Sequence, residues 1–174
     1  MLDSLLTLAA PYAPLDGMNE KGLCVGVLLI DTEPTNQQTE KIDITTTTAI
    51  RMLLDKAATV EEAVELLSQY DMHSSANSCY HFQIADASGK SVVVEYINDE
   101  MKLVEPTESY QAATNFLLTP GDYDFGKGQD RYAAMMEELG EKEGILNEKE
   151  ALGLLEKVSQ DPYKTESGSM SSTQ

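Results

Sequence analysis

The apolar positions change period several times along the chain, and each change predicts an element. An unbroken apolar run, Leu23 to Ile30, follows the polar turn Asp16-Gly17-Met18-Asn19-Glu20-Lys21-Gly22. It is too short to span a membrane and too continuous for a half-exposed strand, so it predicts a buried strand over 22–30 entered through a turn. Before it, residues 2–10 predict about two turns of helix, stopped by Pro11 and Pro14. Asp31 to Thr39, with Pro34 and Asn36, reads as a loop. Ile50, Leu53, Leu54 and Ala57 then share one helical face, led in by Thr45 to Thr48. Thr59 and Glu62 form a capping-box pattern ahead of Val60, Ala63, Val64 and Leu67, which predict a second amphipathic helix ending near Tyr70. The connection is very short, which places the two helices side by side in one layer.

Strand patterns follow. Cys79–Ala85, the turn Asp86–Lys90 and Ser91–Tyr96 read as a hairpin. Asn98-Asp99 turns the chain into a strand from Met101 to Glu105, and Ala112–Leu118 predicts a further strand closed by Thr119-Pro120-Gly121. Gly121–Gly128 is a glycine-rich acidic loop without the spacing of a phosphate cradle. A third helix is expected over Gln129–Leu139, with Tyr132, Met135, Met136 and Leu139 inward. A fourth, capped by Asn147 and Glu150, runs through Val158 with Ala151, Leu154, Leu155 and Val158 on its apolar face. After Pro162 the chain is polar and Ser-rich, as a mobile tail would be. The order is strand, two helices, antiparallel strands, two helices, which predicts an α+β fold of layered helices and sheets. One domain over 1–174 is expected, with 1–14 as a lead-in and 162–174 as a polar tail.

Composition narrows the function classes. The chain has 174 residues, 41% of them hydrophobic, so its composition is globular. Thirty acidic against 12 basic side chains give a net charge of −18. That opposes binding to nucleic-acid backbones, anionic membranes or polyanions, and its plainest consequence is solubility. Cys24 and Cys79 lie in apolar strand segments and read as buried free thiols, with no CxxC spacing. His73 and His81 show no HExxH pattern, so neither a metal nor another cofactor is expected. The opening MLDSLLTLAAPYAP carries an acid where a signal peptide needs positive charge, so the cytoplasm is the default compartment.

Asn19 is the first candidate for chemistry. A side-chain amide at the mouth of a core strand can donate two N–H groups to an oxyanion, or it can simply make a turn. The phrase DGMNEKGL with its following strand is similar to the choloylglycine hydrolase family. These linear-amide C–N hydrolases include bile salt hydrolases, penicillin V acylases and acyltransferase relatives. The resemblance continues in order through HFQIADASGKSVVVEY (His81–Tyr96), AATNFLLTP (Ala112–Pro120) and GQDRYAAM (Gly128–Met135), covering about Pro11 to Gln174. It implies the N-terminal-nucleophile hydrolase fold, an αββα sandwich of antiparallel sheets, here in part.

The resemblance also implies three site residues: Asn19 as the oxyanion-hole amide, Asn115 as the group that orients the nucleophile's amine, and Arg131 as the charge that holds the cluster. Read by themselves, Asn115 could end a strand, and Arg131 could cap a helix or pair with Asp130 or Glu138. Family members use an N-terminal cysteine whose own α-amine, with an unperturbed pKa near 8, serves as base. This sequence opens Met1-Leu2-Asp3, and Cys24 and Cys79 are internal, so the nucleophile is expected to be missing and the chain to be cut at both ends. Sheet edges would then be open to self-association, and a homo-oligomer is possible. Two readings follow. One is an amide hydrolase, or its acyltransferase variant, acting on an N-acyl amino acid, a bile-salt-like amide or a penicillin-like side-chain amide. The other is an inactive remnant or small-molecule-binding module of the same fold.

Overall fold

In a computed structural model, the described residues are 10–121, 126–159, 163–164 and 170–171, the last two pairs as backbone alone. Seven strands lie between residues 16 and 104: β1 (Asp16–Met18), β2 (Cys24–Ile30), β3 (Ile42–Thr45), β4 (Tyr70–His73), β5 (Cys79–Ala85), β6 (Ser91–Ile97) and β7 (Glu100–Val104). Two helices, α1 (Thr46–Lys56) and α2 (Val60–Ser68), lie between β3 and β4. After β7 come α3 (Gln129–Glu141) and α4 (Glu148–Lys157). Tyr163–Lys164 and Met170–Ser171 pair antiparallel as β8 and β9, and the rest of the expected polar tail lies outside the described residues, as do residues 2–9 of the helix predicted over 2–10.

Five strands form one antiparallel sheet in the order β1-β2-β5-β6-β7. The unbroken apolar run becomes β2, paired on both sides, with Val25 opposite Ile84 and Ile30 opposite Cys79. Pleating sends alternate residues to opposite faces. One face carries Val25, Phe82, Ile84, Val92, Val94 and Tyr96, and α1 and α2 pack on it with Ile50, Leu53, Ala57, Ala63 and Leu67 to make the main core. Burying a single aliphatic side chain there is worth about 1.5–3 kcal/mol. The other face carries Cys79, His81, Glu95 and Ile97, with Leu117 completing a smaller cluster.

Side chains from the sheet's turns fasten the helix layer. Thr59 Oγ1 caps α2 by accepting from the Glu62 amide. The Glu62 carboxylate reaches back to the Ala58 amide, one residue short of the capping-box partner that the sequence pattern predicts. Asp86, in the β5–β6 turn, accepts from the Val60 amide at the first turn of α2, which locks hairpin to helix.

Four points of the sequence reading need correction. Ala112–Leu118 is not a strand. It makes one isolated bridge, Asn115 to Lys127, and crosses the sheet's second face with its backbone held by side chains. Its apolar run reflects that burial. α2 ends at Ser68, close to Tyr70 as expected, but Tyr70 opens β4, a strand that was not expected, which pairs in parallel with β3 across the α1–α2 crossover. Only Ile44 of β3 is buried, so that ribbon had no periodic signal. On α4, Leu154 and Val158 are buried but Leu155 faces out, 59% exposed. On α3, Tyr132, Met135, Met136 and Leu139 are only half-buried.

Candidate functional site

Asn115 sits where the 111–119 segment passes the far end of β2. Its Nδ2 donates to the Leu29 carbonyl at 2.9 Å, and its own carbonyl accepts from the Lys127 amide at 2.8 Å. Arg131, in the first turn of α3, folds back so that Nη2 donates to Asn115 Oδ1 at 2.7 Å. Gly128 makes that approach possible. It caps α3 in the left-handed region at φ +88, and a Cβ there would stand 2.5 Å from the Arg131 guanidinium. Thr114 Oγ1 donates to the Gly128 carbonyl at 3.0 Å, and Phe116 stacks edge-on against Tyr132 with ring centroids 5.3 Å apart.

The result is a patch rich in donors. An amide and a guanidinium present seven N–H groups between them, and two of these are used in the contacts above. Arg131 Nε is buried with no partner among the described residues. The sequence has two arginines. Arg51 pairs with Asp55, whereas Arg131 takes a neutral amide and makes no ion pair with Asp130 or Glu138 among the described residues. A charged donor set held this way suits a carboxylate, a carbonyl or an oxyanion.

Asn19 stands elsewhere. Nδ2 donates to the Leu54 and Ala57 carbonyls, at 3.1 and 2.7 Å, closing the C-terminal end of α1. Oδ1 accepts from the Lys21 and Leu23 amides, both at 3.0 Å. Both of its N–H groups are therefore aimed at helix carbonyls. From Leu23 to Leu29 is about 20 Å at about 3.3 Å per strand residue. Asn115 and Arg131 thus come together, and Asn19 lies at the opposite end of β2.

Neither thiol stands in the patch. Cys24 begins β2 at the Asn19 end, half-buried. Cys79 is buried in the cluster with Ile30 and Leu117, and burial pushes its pKa up. Among the described residues no group of histidines, cysteines and acids is placed to hold a metal ion, and no helix is long and apolar enough to cross a membrane.

One pair escaped the sequence reading. His81 and Glu95 are both fully buried, with Nδ1 3.2 Å from Oε1. Glu95 also accepts from the Leu118 and Thr119 amides at 2.7 and 2.9 Å. Burial raises its pKa, but the bonds from His81 and from the Leu118 and Thr119 amides outweigh it and hold the carboxyl below its ordinary value. The signal was present: a histidine and a glutamate inside strands that are mostly apolar.

Comparison with known proteins gives a consistent picture. A sequence model of the linear amide C–N hydrolases, choloylglycine hydrolase family, matches residues 6–121, which include Asn19 and Asn115 but not Arg131. Penicillin V acylase from Pectobacterium atrosepticum is 32% identical over 111 residues, which are 58% of this chain and 29% of that protein. Among solved structures, penicillin V acylase from Agrobacterium tumefaciens aligns with TM-score 0.55 at 23% identity, covering 85% of this chain and 51% of the other. A variant of conjugated bile acid hydrolase from Clostridium perfringens aligns with TM-score 0.65 at 18% identity, covering 90% and 63%. At those identities the structures show a shared fold, that of the N-terminal-nucleophile hydrolases, and this chain spans only part of each relative's length.

Proposed function

The chain belongs to the choloylglycine hydrolase family of linear amide C–N hydrolases, and from that premise we propose that Asn115 and Arg131 are the groups with which it holds an N-acyl amide. The observation that carries this is the 2.7 Å bond from Arg131 to Asn115 at the end of β2. Arg131 supplies the charge for a substrate carboxylate or a developing oxyanion. Asn115, clamped between Leu29 and Arg131, fixes where that charge points. The substrate class is the amide of an N-acyl amino acid, a bile-salt-like conjugate or a penicillin-like side chain. Asn19 is assigned to the fold, as the tie between the β1–β2 turn and α1.

In this reading the nucleophile is neither Cys24 nor Cys79. One lies at the wrong end of β2 and the other is buried with its thiol kept protonated. These 174 residues therefore contribute binding and polarisation, and an N-terminal cysteine would contribute the attack on the carbonyl carbon. That placement of the thiols also favours the second reading, a binding module without turnover. Interception of an acyl-enzyme by an amine, giving acyl transfer, is the close variant of the first.

Titration of the 174-residue chain with N-phenylacetylglycine by calorimetry tests the proposal. Saturable binding is expected, weakened about tenfold or more in Arg131→Ala, since a bond to a charged group is worth about 1.5–3 kcal/mol. Free glycine in the same samples reports turnover, and none is expected. Absence of binding, or equal binding by Arg131→Ala, overturns the assignment of the site.

A further inference from the structure

Segment 111–119 carries Asn115 yet belongs to no sheet, so something other than a strand ladder must hold it. Of its backbone ties the two closest together are the Leu118 and Thr119 amides, and both donate to the one carboxylate of Glu95. Glu95 is anchored in β6, between β5 and β7 in the sheet. Its third contact is His81 Nδ1 on β5, which fixes the plane of the carboxylate. Both side chains are fully buried, so each bond is made without competition from water. Leaving Glu95 unpaired there would be costly, which makes the arrangement all-or-none.

We propose that Glu95, oriented by His81, is the positioning residue that holds Asn115 on the Leu29 carbonyl and within reach of Arg131. Only Phe116 and Leu117 separate Asn115 from Leu118, and Leu117 is packed into the small cluster with Ile30 and Cys79. A carboxylate gripping two successive amides fixes both the position and the rotation of that short stretch. The other ties lead elsewhere: the Lys127 amide to the Asn115 carbonyl at 2.8 Å and Thr114 Oγ1 to the Gly128 carbonyl at 3.0 Å join the segment to the chain just before α3, while Gln83 Nε2 to the Gln111 carbonyl at 3.3 Å and Gln111 Nε2 to the Val104 carbonyl at 2.8 Å hold its start. The grip itself is independent of what Asn115 binds. Calling it functional rests on the assignment of Asn115 to an amide site.

The test is Glu95→Gln in the 174-residue chain, read by NMR. A glutamine can accept from one of the two amides but must turn its N–H₂ toward the other. Hydrogen exchange at Leu118 and Thr119 should speed up by about tenfold or more, and the Asn115 side-chain N–H₂ resonances should shift toward those of a free amide. Ile84 and Val93, in the same strands, should keep their protection. N-phenylacetylglycine affinity should fall with Asn115 order while the folded core persists. Unchanged exchange at Leu118 and Thr119 overturns the proposal, and so does uniform loss of protection in Ile84 and Val93 as well, which would make the pair a mere core element. If Glu95→Gln does not fold, the double variant His81→Leu with Glu95→Met removes both polar partners together, a change that leaves neither one unpaired, and the same outcomes apply. Loosened Asn115 in a protein whose wild type binds no acyl amide sustains the positioning role and refutes the amide site. Tight binding that is indifferent to Glu95 does the reverse.

Discussion

Asn19 spends its whole side-chain amide on four backbone groups: two carbonyls at the end of α1 and two amides of the turn into β2. Replacing it with alanine leaves those groups without partners in a half-buried place, at a cost of about 2 kcal/mol. Urea unfolding of Asn19→Ala should therefore show a lowered midpoint with an unchanged slope. Gly128 makes a different demand. Alanine at φ +88 costs about 1–2 kcal/mol and its Cβ would displace the Arg131 guanidinium. Gly128→Ala should lose affinity for N-phenylacetylglycine more than it loses stability, and an Arg131→Ala background should abolish that extra loss when the two are measured together.

At the scale of elements, the helix layer depends on contacts that a periodic pattern only partly reveals. Ile50, Leu53, Leu54 and Ala57 were legible as one face because a helix repeats every 3.6 residues, and all four are buried. β2, β5 and β6 were legible for the same kind of reason. The β3–β4 ribbon was not, since four-residue strands with one or two buried side chains leave too few positions to show a period. Nor could period show that 112–118 is buried across a sheet rather than within one. Asn115 and Arg131 were found through motif likeness, and only the fold could say that they meet and that Asn19 does not join them.

Asp86 ties hairpin to helix by accepting from the Val60 amide, and Asp86→Ala should cost about 1 kcal/mol, as loss of a helix cap does. The Ser88 hydroxyl and the Val60 amide, opposed by burial, hold its carboxyl below the ordinary value. A carboxyl lowered in the folded state stabilises fully above its unfolded pKa, near 4, and loses that contribution as pH falls through the folded value. Denaturant midpoints followed from neutral pH into acid should therefore fall less steeply in Asp86→Asn than in wild type.

For the whole molecule, a net charge of −18 sets the background against which every local contact acts. Exposed pairs such as Lys157 with Glu138 relieve little of it. Self-repulsion should be screened as the Debye length shrinks from about 30 Å at 0.01 M salt to about 8 Å at 0.15 M. Stability measured by thermal unfolding should accordingly rise with added NaCl over that range. A fall would mean that attractive surface pairs outweigh the repulsion. The acidic field also sharpens the significance of Arg131, a cation held by a neutral amide at the end of a core strand. In the proposed site it would offer local attraction to an anionic acyl amino acid against the repulsion of the protein as a whole.

The central claim is that function lies at the Asn115 end of β2 and fold maintenance at the Asn19 end. The most direct measurement is the binding isotherm of N-phenylacetylglycine for Asn115→Ala beside Asn19→Ala, at a temperature where both are folded. The account predicts affinity reduced about tenfold or more in Asn115→Ala and close to wild type in Asn19→Ala, despite the latter's lower unfolding midpoint. Loss of binding in Asn19→Ala with Asn115→Ala unaffected would contradict it, and would put the amide site at the other end of the strand.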